Sequence, residues 1–229
     1  FRPFLNAFKN WPVAALAPEV GPSPNAPSPA AAPTTALNGS RCAARLSCPL
    51  QMVEHATPTI RQARHADAAA MLAIYRPFIE HTVVSFETEV PSVQEFAERV
   101  EATQRAHEWL VAELDGAVLG YAYGSKHRSR GAYRASCEVS GYVAEAAQGR
   151  GIARLLYERL FARLIELGYC NALAGIAMPN DPSVGFHQAM GFTLVGVYHH
   201  IGFKHGAWHD IAWYERILRE GPPRDCEPC

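Results

Sequence analysis

The residues with the plainest chemical meaning run Tyr142-Val143-Ala144-Glu145-Ala146-Ala147-Gln148-Gly149-Arg150-Gly151-Ile152-Ala153. They read as a strand, a glycine-containing turn and the start of a helix. At such a turn backbone N–H groups point outward and the helix N-terminus carries partial positive charge, so the backbone binds phosphate without a cationic pocket. Gly149 and Gly151 let it approach a ligand closely. Alone, a Gly-x-Gly is also an ordinary helix entry. The phosphate motifs of the common nucleotide folds do not fit: no G-x-x-x-x-G-K precedes a Ser or Thr, and no G-x-G-x-x-G is present.

Other reactive side chains carry less. There are 10 histidines, and His199, His200, His205 and His209 lie close together. None stands at zinc-site spacing from a Cys or an acidic residue, so no metal is expected. The six cysteines, at 42, 48, 137, 170, 226 and 229, lack the regular spacing of a secreted disulfide scaffold and suit a reducing cytoplasm. Cys226 and Cys229 form a C-x-x-C, but it follows Gly221-Pro222-Pro223 instead of opening a helix, where a redox motif gains its low thiol pKa. It reads as part of a flexible tail over residues 220–229.

The elements that must position the turn are legible from Thr57 onward. A short extended piece, Thr59 to Gln62, leads to Asp67, the expected N-cap of a helix carrying Met71, Leu72, Ile74 and Tyr75. Ser92 with Glu95 three residues later forms a capping box that opens a second helix through Val100. Trp109 to Leu114 alternates as a strand, Asp115-Gly116 supplies a hairpin turn, and Ala117 to Tyr123 returns. Ser136 to Val143 is a further strand. The helix after the turn carries Ile152, Leu155, Leu156, Leu160, Leu164 and Ile165 on one side and closes at Gly168. Ala172 to Ala177 reads as a buried strand, Asp181 to Met190 as a short helix ending at Gly191, and Phe192 to Phe203 with Trp208 to Tyr214 as a last strand pair.

Composition sets the outer limits. Hydrophobic residues make up 48% and charged residues 19% of the 229, ordinary for a chain that buries a core. The formal charge of −1, from 21 basic and 22 acidic residues, gives no field for a polyanion or an anionic membrane. Neither nucleic acid nor membrane is an expected partner, and no apolar run approaches the ~20 residues that cross a bilayer. Nine of the 17 prolines lie in the first 50 residues, and the stretch Pro18 to Thr35 is dominated by Ala, Pro and Ser. Residues 1–56 are therefore expected to be a disordered Pro/Ala-rich extension, since they offer too little apolar surface to offset ordering entropy. The first residue is Phe1 instead of Met, which reads as a fragment or an extended reading frame. One domain over 57–219 follows.

Gln148-x-x-Gly151-x-Ala153 resembles the Q/R-x-x-G-x-G/A signature with which the GNAT superfamily of N-acetyltransferases holds the pyrophosphate of acetyl-CoA. Asn180-Asp181-Pro182-Ser183 and Phe186-His187-Gln188-Ala189-Met190-Gly191-Phe192 resemble the second half of that site, and Gly202 to Asp210 resembles a segment of the phosphinothricin and methionine sulfoximine acetyltransferase branch. The likeness runs from about Thr57 to Ile217. It implies an α/β fold with a mixed, mostly antiparallel sheet of about seven strands flanked by helices. It also implies acetyl-CoA as co-substrate, no metal, a small-molecule amine acceptor and a homodimer.

Residue by residue, the resemblance implies that Val143, Gln148, Gly149, Arg150, Gly151, Ile152, Ala153, Arg154, Asn180 and Ser183 hold the co-substrate. Acetyl transfer needs loss of an ammonium proton, stabilisation of an oxyanion and protonation of a thiolate. Glu138 stands where the family places its base, ten residues before Gln148, and the Val143 N–H where it places its oxyanion donor. His187 occupies the position of a tyrosine acid in many relatives, a departure that is similar to the phosphinothricin branch; an imidazole there could protonate the thiolate or orient the amine. Arg128, Arg130 and Tyr133 align with residues that grip the acceptor's acidic groups, as guanidinium groups do bidentately, while Lys126-His127-Arg128-Ser129-Arg130 reads equally as a solvated basic loop. Phe86, Ser140 and Tyr142 would complete the pocket, and Lys204 and Trp208 would be structural or dimer-facing. The expected activity is acetylation of the α-amine of a small acidic amino acid such as phosphinothricin or methionine sulfoximine. The alternatives are another amine, a peptide N-terminus or a polyamine, or a non-catalytic acetyl-CoA-binding module.

Overall fold

A computed structural model of the chain describes residues 57–221. The extension over 1–56 and the C-x-x-C of Cys226 and Cys229 lie outside the described residues.

Seven strands form one sheet: β1 (Thr59–Gln62), β2 (Trp109–Leu114), β3 (Ala117–Lys126), β4 (Ser136–Val143), β5 (Asn171–Ala177), β6 (Thr193–Lys204) and β7 (Ala207–Ile217), in spatial order β1-β2-β3-β4-β5-β7-β6. Every neighbouring pair is antiparallel except β4 with β5. That parallel contact is short, joining Ser136 to Asn171, Cys137 to Ala172 and Glu138 to Leu173. Beyond Glu138, β4 stays with β3 as far as Val143, while β5 follows β7 to Ala177. The sheet therefore splits open in its middle.

Strand alternation sends side chains to two cores. On one face, helices α1 (Ala68–His81) and α2 (Val93–Gln104) cover Trp109, Val111 and Tyr121. On the other, α3 (Ile152–Glu166) covers Leu110, Ala122 and Val139. Its buried Ile152, Leu156, Leu160 and Leu164 recur every fourth residue, one helical stripe, and each fully buried leucine contributes roughly 1.5–3 kcal/mol. A fourth helix, α4 (Asp181–Ala189), follows β5. The β2–β3 turn has left-handed backbone at Asp115 (φ 51°) and Gly116 (φ 80°), the hairpin geometry that Asp-Gly favours.

Two features differ from the sequence reading, and a third, Lys204, takes the structural one of its two expected roles. Asp67 precedes α1 but its carboxylate makes no cap there; it accepts two bonds from Arg61 at 2.7 and 2.8 Å and one from the Arg64 N–H at 2.7 Å. An offered guanidinium outcompetes the helix N-terminus because the bidentate ion pair is the stronger hydrogen bond. The Ser92–Glu95 capping box forms as expected. Strand β3 runs on to Lys126, since β4 continues to pair with it as far as Cys137, and β7 extends from Ala207 to Ile217. Lastly, Lys204 is buried: its ammonium donates to the carbonyls of Ile79 (2.6 Å) and Ser85 (2.7 Å), and burial depresses its pKa. The β6–β7 hairpin is thereby tied to the α1–α2 loop. Phe86 in that loop lies so close over Gly202 that a Cβ there would come within 1.9 Å of its ring.

Candidate active site

The turn singled out in the sequence leads into α3 from the open end of the split. Gly149 (φ 72°) and Gly151 (φ 78°, the N-cap) both have left-handed backbone, which disfavours any side chain, and a Cβ at either would meet nothing within 4 Å. Glycine is thus required by conformation, while the space above it is open. Gln148 folds back so that its side-chain amide donates to the Val143 carbonyl at 3.3 Å. A cavity of about 560 Å³ starts at this turn and runs past Ala153 and Tyr142 to Asn180, Ser183 and His187. A smaller one, about 70 Å³, occupies the split itself between Ser140-Gly141 of β4 and Ala174-Gly175 of β5. Gly141, Tyr142, Tyr157, Asn180, Ser183 and His187 line both, so the two form one passage from the helix N-terminus into the sheet. A broader groove of about 780 Å³ between α1 and the β2–β3 turn lacks both glycines of the α3 turn.

Backbone donors face this passage. The Ala144 N–H donates to Leu119 on β3, so by alternation the Val143 and Gly141 N–H groups turn the other way, toward the split where β5 has left. At the head of α4, the Asn180 carbonyl oxygen caps the Ser183 N–H at 3.2 Å. Ile152, expected at the co-substrate, has its side chain in the core, so only its backbone is available there. Arg150 and Arg154 are exposed, and Arg154 pairs loosely with Glu158 at 3.7 Å.

The two proton-handling candidates occupy unlike surroundings. His187 is buried; its Nδ1 lies 2.8 Å from the Ser183 carbonyl, which can only accept, so that nitrogen carries the hydrogen. Its Nε2 then accepts from the Tyr157 hydroxyl at 3.3 Å. Burial depresses the imidazole pKa and raises that of the Tyr157 phenol, which favours the neutral form of both. Glu138 sits at the apex of the split, the last β4 residue paired with β5, with 34% of its side chain exposed. Its Oε1 lies 2.9 Å from His127 Nδ1. Glu138 stands beside the split cavity, whose wall begins at Val139 and Ser140.

These features carry a family resemblance that comparison makes definite. A model of the acetyltransferase (GNAT) domain matches residues 60–213. The chain belongs to the GNAT acetyltransferase family. Among its curated relatives, a phosphinothricin N-acetyltransferase of Streptomyces viridochromogenes is 38% identical over 74% of this chain and 93% of its own length. An L-methionine sulfoximine/L-methionine sulfone acetyltransferase of Salmonella typhimurium is 34% identical over 71% of this chain and 95% of its own. The fold is similar to a solved GNAT phosphinothricin acetyltransferase of Sinorhizobium meliloti in complex with acetyl-CoA, with a TM-score of 0.71, 37% identity, and 74% of this chain and 95% of that one covered. The protein is accordingly an N-acetyltransferase.

Against the sequence reading of this GNAT site, the structure brings together Val143, Gln148, Gly149, Gly151, Ala153, Asn180, Ser183 and His187 around one passage, joined by Ser140 and Tyr142. Arg128, Arg130 and Tyr133 stand exposed in the loop after β3, and among the described residues neither arginine is held in an ion pair. Phe86 lies elsewhere, against Gly202 and His209, because Lys204 holds its loop on the hairpin. Val84, two residues earlier, is the loop residue that lines both cavities. The His199 and His209 rings are occupied by Asp210 and the Lys204 carbonyl, and among the described residues no three metal-ligating side chains cluster. Sequence reasoning missed His127 and Tyr157. One lay inside a basic run and the other on the core stripe of α3, and only the fold shows their partners.

Proposed function

We propose that this enzyme transfers the acetyl group of acetyl-CoA to the α-amine of a small acidic amino acid, with phosphinothricin and methionine sulfoximine as the representative acceptors. The observation that carries the reading is the passage from the α3 N-terminus into the split sheet, with Glu138 at the apex of the split. The names of the relatives point the same way.

The residues present suit the co-substrate. Open space over two left-handed glycines and the first N–H groups of α3 suit a pyrophosphate. When bound, acetyl-CoA supplies the activated acetyl thioester. The Val143 N–H, turned into the split, stabilises charge growing on the carbonyl oxygen. Glu138 drives removal of the acceptor's ammonium proton, and the hydrogen-bonded Tyr157–His187 pair passes a proton to the departing sulfur and is reloaded from solvent. Arg128 and Arg130 grip the acceptor's second anion, a site ill suited to a polycation.

Two further assignments belong to this reading. The protein works as a homodimer, because edge strand β6 and the hairpin expose Leu194, Val195, Ile201, Phe203 and Trp208 in one region. It works in the cytoplasm, in keeping with the free thiols of buried Cys137 and Cys170 and with the absence, among the described residues, of any helix long and apolar enough to cross a membrane. A thiol-release assay across a panel of acceptors tests the whole. Turnover confined to acidic amino acids is expected; turnover with polyamines or peptides alone overturns it.

A further inference from the structure

His127 is held firmly beside Glu138. Strand register sets Ser125 opposite Glu138, so His127, two residues on, reaches it as the diagonal neighbour on the same face. Only 12% of the His127 side chain is exposed. Tyr133 and Trp213 hold the ring edge to face, at 5.9 and 6.0 Å. Trp213 also lies against the wall of the split, where a Cβ on Gly175 would come within 3.3 Å of its ring. The groups facing the imidazole are therefore Glu138 from β4, Tyr133 from the following turn and Trp213 from β7, with exposed Lys126 and Arg128 on its own segment. Nothing else among the described residues holds its second nitrogen.

We propose that His127 is the base that accepts the acceptor's ammonium proton, and that Glu138 is a positioning residue acting through it. This rests on the acetyltransferase reading above. The Glu138 carboxylate can only accept, so His127 Nδ1 bears the hydrogen and Nε2 presents its lone pair. The ammonium N–H proton moves to Nε2, and the resulting imidazolium is neutralised by Glu138, the division of labour of a histidine–carboxylate pair in hydrolases. The freed nitrogen lone pair forms the bond to the acetyl carbon. His127 passes that first proton to water and takes the second N–H proton of the tetrahedral adduct as the C–S bond breaks; the bond's electron pair stays on sulfur, which takes a proton through Tyr157–His187, and the proton His127 gives up reloads that pair through water. One amide and one thiol result, with no other reactant.

The test compares His127→Ala, His127→Phe and Glu138→Gln with wild type, using acetyl-CoA and methionine sulfoximine. Both His127 variants should lose about 10²- to 10⁴-fold in kcat with little change in the KM for acetyl-CoA, and the double variant with Glu138→Gln should be no worse than the worse single one. His127→Phe keeps the ring contacts, so its loss separates base from packing. Added imidazoles should restore turnover to His127→Ala in order of their basicity and leave Glu138→Gln unmoved. A His127→Ala enzyme within a few-fold of wild type, or rescue indifferent to basicity, overturns the assignment and leaves Glu138 as the direct base. Failure of the wild type to acetylate any amine in the panel instead sinks the function reading, and this one with it.

Discussion

The two sides of the split sheet offer opposite environments. On the α3–α4 side, His187, Tyr157 and the Ser183 carbonyl form a buried, neutral chain walled by Phe186 and Phe192. On the α1–α2 side, partly exposed Glu138 and the more deeply buried His127 form an acidic–basic pair beside a loop carrying Arg128 and Arg130. A departing thiolate and an arriving ammonium need opposite things. The first is served by a dry site with hydrogen to give; the second must be drawn from water, so its side keeps charge and access. On the function proposed above, the sheet separates the two chemistries and the split is where they meet.

The largest expected effect breaks the acceptor side alone. Glu138→Gln should lower kcat by about 10²- to 10⁴-fold while acetyl-CoA affinity stays near wild type, as read by steady-state kinetics and calorimetry. Equal loss of binding would mean that the two sides are not separate. Next comes the co-substrate turn. Gly149→Glu places a carboxylate in open space at a left-handed position, so strain on folding should be about 1–2 kcal/mol and the thermal transition should survive. Repulsion of the pyrophosphate should weaken acetyl-CoA binding by at least about tenfold, or 1.4 kcal/mol. An unchanged Kd would remove the phosphate site from the turn.

The smallest effect concerns the dry side. Burial lowers the folded-state pKa of His187 below that of the unfolded chain, so unfolded chains take up a proton first as pH falls. Stability should hold above the unfolded value of about 6.5 and decline as pH drops below it, toward the folded pKa. His107, also lowered by burial, adds in the same direction. His187→Asn should flatten the difference between melting temperatures at pH 7.5 and 5.5; an undiminished slope would show that His187 is not held neutral.

Most of the fold and half of this site could be read in the sequence, and the reason is locality. The Gln148 to Ala153 turn, the Ser92–Glu95 box and the Asp115-Gly116 hairpin are governed by residues within a few positions of each other, and all three take their expected form. What escaped depends on distance along the chain. Tyr157 meets His187 across 30 residues, so on the sequence it is one more apolar position of α3. The partner of Glu138 is fixed by β3–β4 register, and Phe86 goes to the hairpin because Lys204, 119 residues from Ser85, takes that loop's carbonyl. Asp67 sits at a helix start, yet Arg61 claims it.

The central claim is that a small acidic amino acid is the acceptor, and a competition assay tests it most directly: acetyl-CoA with methionine sulfoximine or phosphinothricin against spermidine and a neutral amine, for wild type and Arg130→Ala. The account predicts a far higher kcat/KM for the acidic acceptors. Arg130→Ala should erase most of that preference, since loss of a charged hydrogen-bond partner costs about 2–5 kcal/mol. A preference for spermidine, or an Arg130→Ala enzyme as selective as wild type, would contradict it.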